Sequence, residues 1–200
     1  MSDKVRVGVV GTSWWADAMY LRALTGHPLA DVRCAVGSRM DHTQEFARRW
    51  HIPRAFATIE EILDSERLDA VIVAAPNRYH YPITMAALEC GLHVLCEKRL
   101  GMSSTEARRS AEAADRAGVI TLGPFTYGYM PAIRYLKELV DDGYLWRPYH
   151  LNRRYFARYG GNGDYEWRST STSLAWAPSR AISAPIGPTS PARSSATSRL

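Results

Sequence analysis

The sequence predicts an α/β fold: a doubly wound parallel sheet followed by the beginning of a second α/β domain. Short β-branched strands alternate with amphipathic, helix-length segments from Val5 to Leu122. The first strand, VRVGVV, runs into a glycine turn, GTSWWA, that opens directly onto a helical pattern. Two capping boxes, Thr58 with Glu61 and Ser103 with Glu106, mark further helix starts between strands. Strand–helix alternation with short loops calls for a parallel sheet covered on both faces, wound by right-handed crossovers.

Taken in order, Val5 to Val10 is a buried strand, and Trp15 to Thr25 a helix ended by Gly26, His27 and Pro28. Val32 to Val36 is the second strand, followed by a helix from Thr43 to Trp50 and a short strand at Ala55–Phe56. Thr58 caps the helix IEEILDS. Ala70 to Ala74 is the next strand, and the helix from Tyr81 to Cys90 stops at Gly91. His93 to Cys96 is a strand. Ser103 caps a helix that runs to Ala117, and Gly118 closes it before a strand at Val119–Leu122. Beyond Pro124 the style changes, to a helix from Pro131 to Asp142 and a strand from Tyr149 to Phe156.

Two hundred residues suit one full domain and part of another. The start, MSDKVRV, lacks the basic and apolar regions of a secretory signal. No apolar run approaches membrane-spanning length, so no membrane partner is expected. Three cysteines, Cys34, Cys90 and Cys96, show no zinc-site spacing; no metal is expected, and reduced thiols in a cytoplasm are the simplest reading. The net charge is +5. Residues 1–168 hold 22 basic against 20 acidic residues, a net +2; Arg180, Arg193 and Arg199 supply the rest. No basic stripe marks a nucleic-acid face. Arg147, Arg153, Arg154 and Arg158 lie beside Tyr149, Tyr155, Phe156 and Tyr159, but alternation along a half-exposed strand accounts for that mixture.

The glycine turn has the makings of a dinucleotide site. Such a turn needs glycine at the bend, a tiny residue where the backbone meets a pyrophosphate, and a small one where helix packs on strand. Gly11, Ser13 and Ala16 occupy these positions, with Thr12 and Trp14 flanking them. Ser13 is the poorest fit, although its hydroxyl suits a phosphate oxygen, and a plain strand-to-helix bend explains Gly11 equally well. Strand two ends in CAVGSRM, with Ser38 and Arg39 where NAD binders place an acid for the ribose hydroxyls. Arg39 suits a 2′-phosphate, which favours NADP and leaves NAD as the alternative; as a bare loop charge it would carry no such meaning.

The stretch AAPNRYHYPITMAALECGLHVLCEKRLGMSSTEA closely resembles the Gfo/Idh/MocA oxidoreductases. The likeness runs in register from about Val5 to Arg168 through the Gly11 turn, the PN-x-x-H element (Pro76, Asn77, His80), the EK element (Glu97, Lys98) and the helix PAIRYLKELVDDG. The resemblance implies a Rossmann domain over 1–123 and an incomplete α/β substrate and oligomerisation domain with an open sheet over 124–168. It implies hydride transfer between a nicotinamide cofactor and a hydroxyl of a sugar, cyclitol or related polyol, and homo-oligomers among full-length relatives. It also places Ala75, Pro76, Asn77 and His80 near the cofactor, with Glu97 and Lys98 beside the nicotinamide and substrate. Lys98 is then the catalytic residue; without the resemblance it reads as a solvated lysine at a strand end.

Several departures stand out. The family's EK element continues with proline, whereas Arg99 follows here; Gly128 and Trp146 replace an expected arginine and glycine. The family's Asp-x-x-x-His element is due shortly after Glu166–Arg168, yet residues 169–200 are a Ser/Ala/Pro-rich, low-complexity stretch, and no histidine follows His150. That stretch is expected to be disordered. The abrupt switch is what truncation after about residue 168, by a shifted reading frame, predicts. A catalytically silent nucleotide-binding fragment is therefore the alternative to an active dehydrogenase.

Overall fold

The computed structural model describes residues 4–146 together with Tyr149, His150, Asn152 and Arg154. The chain divides into two compact units, Met1–Met130 and Pro131–Leu200. In the first unit six strands alternate with helices: β1 (Val5–Val10), β2 (Ala30–Val36), β3 (Arg54–Phe56), β4 (Ala70–Val73), β5 (His93–Cys96) and β6 (Thr121–Leu122). All are parallel, in the order β3-β2-β1-β4-β5-β6. The chain leaves β1 toward β2 on one side and later returns to β4 on the other. The carboxyl ends of β1 and β4 therefore part around the crevice in which open α/β sheets bind ligands.

Winding on both faces is read from strand alternation. Val9, Ala35 and Ile72 share one apolar cluster with Leu21 and Phe46, while Cys34, Val36, Val71 and Val73 share another with Ile62, Leu88 and Ala114. Successive strand residues thus point to opposite faces. The helix after β1, here α1, comprises a π-helical Ala16–Leu21 and an α-helical Arg22–Leu24. It shares the first cluster with α2 (Met40–Arg49), whereas α3 (Ile59–Ser65), α4 (His80–Glu89) and α5 (Ser104–Ala117) contribute to the second.

Both capping boxes form. Thr58 Oγ1 accepts the Glu61 N–H and Ser103 Oγ accepts the Glu106 N–H, while the two glutamates reach back to the amides of Ala57 and Met102. Several elements differ from expectation by a residue or more, β2 for instance starting at Ala30 rather than Val32, and three of the differences bear on the site or on helix limits. The α1 segment is π-wound where an ordinary α-helix was expected. Helix α2 starts at Met40 rather than Thr43, because the Thr43 N–H closes the first turn on Arg39 O at 2.9 Å. Strand β6 is shorter than Val119–Leu122, because the Val119 N–H bonds back to Ala114 O and belongs to the helix stop built on left-handed Gly118. In the second unit, α6 (Pro131–Asp141) has no buried residue. Most of the strand expected over Tyr149–Phe156, and the whole stretch 169–200, lie outside the described residues. Among the described residues no helix is long and apolar enough to cross a membrane.

The base of the sheet is tied by one two-sided contact. Asp69, just before β4, accepts the backbone N–H of Arg6 at 2.7 Å and its guanidinium at 2.6 and 3.0 Å, while the Asp69 N–H returns to Arg6 O. These bonds hold the Asp69 carboxyl down at about 2. A depressed carboxylate stabilises the fold above its unfolded value of about 4 and loses that contribution as pH falls toward 2. Because the pair is part-exposed, the effect is small. Urea midpoints measured from pH 5 to pH 2 are expected to fall less steeply for Asp69→Asn than for the parent chain.

Candidate functional site

The turn after β1 is built by a close approach of two backbones. Gly11 has φ of +111°, and its N–H donates to Val36 O at 2.8 Å. A Cβ here would stand 2.5 Å from Ala74 C and O and 2.7 Å from Ala75 N, so no side chain fits. Ser13 Oγ reaches Ala74 O at 3.5 Å, on the same strand end. Trp14 is 72% exposed and meets Trp15 edge-on, with ring centroids 5.8 Å apart. Ala16, the third small position, is fully buried where α1 packs on the sheet. The first turn of that helix leaves backbone N–H groups without intrahelical acceptors, at the crevice.

At the end of β2 a second glycine makes a close approach that the sequence reading passed over. A Cβ on Gly37 would lie 2.5 Å from Thr43 Oγ1 and 3.0 Å from Thr12 Oγ1. Thr12 Oγ1 also lies 3.0 Å from His42 Nδ1. The signal was available in the glycine immediately before Ser38. Arg39 is exposed and pairs with Asp41 at 3.0 Å, a contact that holds the Asp41 carboxyl below its usual range.

The loops after β4 and β5 are joined through one imidazole. Ala75 and Pro76 lead into a 3₁₀ turn at Asn77–Tyr79, and His80 opens α4 with 1% exposure. Its Nε2 lies 2.6 Å from Ala75 O and its Nδ1 2.6 Å from Arg99 O. His80 therefore bridges the loop that carries the PN-x-x-H element and the loop that carries the EK element. The Lys98–Arg99 peptide bond is cis.

Glu97 follows β5 with 6% exposure. Its Oε1 accepts the Trp15 indole N–H and the Tyr20 hydroxyl, and its Oε2 accepts the Lys98 N–H at 3.1 Å. Burial, and then the bond to Glu97, push the Tyr20 phenol well above its ordinary value, so it stays a donor. Lys98 is exposed, with Nζ 5.1 Å from the Trp15 ring centroid. Beside it an open depression of about 390 Å³ is lined by Lys98, Arg99, Leu100, Met102, Ser103 and Phe125, among others. Trp15 and Tyr20 are the partners that sequence reasoning missed. Burial raises the Cys96 and Cys34 thiols to about 11 and about 12, which leaves no activated thiolate beside Glu97. Among the described residues no cluster of side chains could hold a metal ion.

The residues present fit a dinucleotide on structural grounds. Gly11 leaves a cradle that a Cβ would fill, it sits at the switch point of the sheet, and a helix amino end faces the crevice. The fold and site define a dinucleotide-binding Rossmann domain with an acid–lysine pair just beyond the carboxyl end of β5. Residues 5–124 match the oxidoreductase family with an NAD-binding Rossmann fold, and the chain belongs to that Gfo/Idh/MocA family. It is 28% identical over 162 residues to D-glucoside 3-dehydrogenase of Escherichia coli K12, covering 81% of this chain and 46% of the relative. It is 30% identical over 139 residues to the scyllo-inositol 2-dehydrogenase (NADP(+)) of Bacillus subtilis 168, covering 67% of this chain and 40% of the relative. Among solved structures, a 3-ketoreductase from Actinomadura kijaniata in complex with NADP and TDP-benzene has a TM-score of 0.66 at 29% identity, over 70% of this chain and 43% of that one. The chain thus spans less than half the length of these relatives. Gly11→Ala is expected to cost on the order of 1–3 kcal/mol in backbone strain alone, more with the clash, and to abolish saturable coenzyme binding in calorimetric titration.

Proposed function

We propose that this chain is the nucleotide-binding portion of an NAD(P)-dependent dehydrogenase acting on a sugar, cyclitol or related polyol, with Lys98 at the reacting hydroxyl. The observation that carries this is the Glu97–Lys98 pair at the carboxyl end of β5, one strand from the crevice that Gly11 shapes. In this reading residues 1–123 hold the coenzyme and residues 124–168 begin the substrate domain. Gly11, Thr12, Ser13 and Trp14 would hold the pyrophosphate, Ser38 and Arg39 the adenosine ribose, and Ala75, Pro76, Asn77 and His80 the rest of the coenzyme, whose nicotinamide would supply or accept the hydride. Lys98 Nζ hydrogen-bonds the substrate oxygen: its ammonium gives that oxygen a proton in the reducing direction, and the resulting amine takes the proton back in the oxidising direction. Buried Glu97 holds the Lys98 main chain in place.

Ser38 and Arg39 support NADP over NAD, and no acid stands at the end of β2 before Asp41. The Arg39–Asp41 pair does not oppose this, because an exposed ion pair contributes little and a 2′-phosphate offers a stronger, doubly charged partner. Binding without turnover is the second reading, favoured by the Ser/Ala/Pro-rich composition of residues 169–200, where the family's Asp-x-x-x-His element is due.

Absorbance assays with NADP and NAD against a polyol panel test the activity directly. Lys98→Ala is expected to lower turnover by about 10²–10⁴ while coenzyme binding, read from tryptophan fluorescence, is retained. Turnover unchanged by Lys98→Ala removes Lys98 from the chemistry; saturable binding with no turnover on any polyol selects the second reading. Arg39→Ala is expected to weaken NADP binding by about tenfold or more and to leave NAD binding unchanged. Equal losses for both coenzymes would remove the NADP preference.

A further inference from the structure

Lys98 poses a physical problem for the role assigned above. It is exposed, its four-carbon stem has many rotamers, and among the described residues no carboxylate pairs with its Nζ. A group that must meet one hydroxyl at one distance needs something to hold it. The described residues offer one candidate, the indole of Trp15, with its ring centroid 5.1 Å from Nζ and inside the roughly 6 Å range of a cation–π contact.

We propose that Trp15 is a positioning residue for Lys98, its ring face seating the ammonium while its N–H grips Glu97. The indole is itself anchored. Its N–H and the Tyr20 hydroxyl both donate to Glu97 Oε1, and the Lys98 N–H donates to Glu97 Oε2. A carboxylate this buried is tolerated because it is so fully bonded. Lys98 is therefore referenced at both ends to one rigid unit, its main chain through Glu97 and its head group through Trp15.

The winding of α1 makes this possible. Trp15 and Tyr20 are five residues apart, and at about 100° per residue an ordinary α-helix would turn their side chains about 140° from each other. Wider i→i+5 winding brings such residues back toward one face. The π-helical stretch Ala16–Leu21 begins directly after Trp15 and includes Tyr20, the two partners of one carboxylate.

The inference rests on the hydride-transfer reading for what Lys98 does, but not for where Lys98 is held. The chain has only three lysines, Lys4, Lys98 and Lys137, so ¹³C-lysine labelling of the full chain without coenzyme gives three ε-methylene signals. One is expected upfield of the others from the indole ring current, with a nuclear Overhauser contact to the Trp15 ring protons, and to vanish in Lys98→Arg. The upfield shift is expected to persist in Trp15→Phe and to be lost in Trp15→Leu. Absence of both the shift and the contact in the parent chain overturns the proposal, whether or not the leucine variant folds; so does a shift unchanged in a folded Trp15→Leu. In turnover, Trp15→Leu is expected to lower kcat at least tenfold with a smaller change in KM, and Trp15→Phe, which keeps a ring face but loses the N–H, to restore part of the loss. An equal fall in both variants overturns the proposal. A shifted lysine signal without turnover on any polyol supports the positioning and sinks the hydride-transfer reading; turnover without that signal does the reverse.

Discussion

The site depends on the contact between the Gly11 backbone and the end of β4. A Cβ at Gly11 would stand 2.5 Å from Ala74 C and O, so only a bare backbone fits against the loop that Ala74 begins, and the crevice is floored by main chain. Floors of this kind approach a ligand more closely than side chains allow, and they direct N–H groups at it. The parallel order β3-β2-β1-β4-β5-β6 exposes this floor by sending successive crossovers in opposite directions from β1. Fold and site are thus one constraint seen at two scales.

Around that floor the polar groups are arranged by burial. Glu97 is an acid almost without solvent, bonded by three donors from two elements. Removing one donor would leave a charged group under-partnered, which costs more than the bond's own net contribution. This ties α1 to β5 chemically as well as by packing. Asp17, in the first turn of α1, binds Trp50 Nε1 at 2.6 Å and Arg49 at 2.8 Å, so the same helix is also held to the end of α2.

Much of this was legible in the chain. Val5–Val10, Ala70–Val73 and His93–Cys96 declare themselves as buried strands by β-branched runs, and Thr58, Ser103, Gly91 and Gly118 mark helix limits by local chemistry. The same signals fail where a tertiary contact decides. A six-residue π-helical stretch has no period that separates it from an α-helix of like composition, so the side shared by Trp15 and Tyr20 emerges only once Glu97 is placed. Gly37 was hidden because its neighbour Thr43 comes from the next helix. The link from His80 to Arg99 spans nineteen positions that no local pattern connects.

That link explains how the chain accommodates its least expected side chain. His80 engages the carbonyl oxygen of residue 99 and not its side chain. Every amino acid carries that oxygen, so the brace between the two loops is indifferent to what position 99 displays. Substitution there can change the charge beside Lys98 without loosening the scaffold, which makes residue 99 a place where the surroundings of Lys98 can drift while its support is kept.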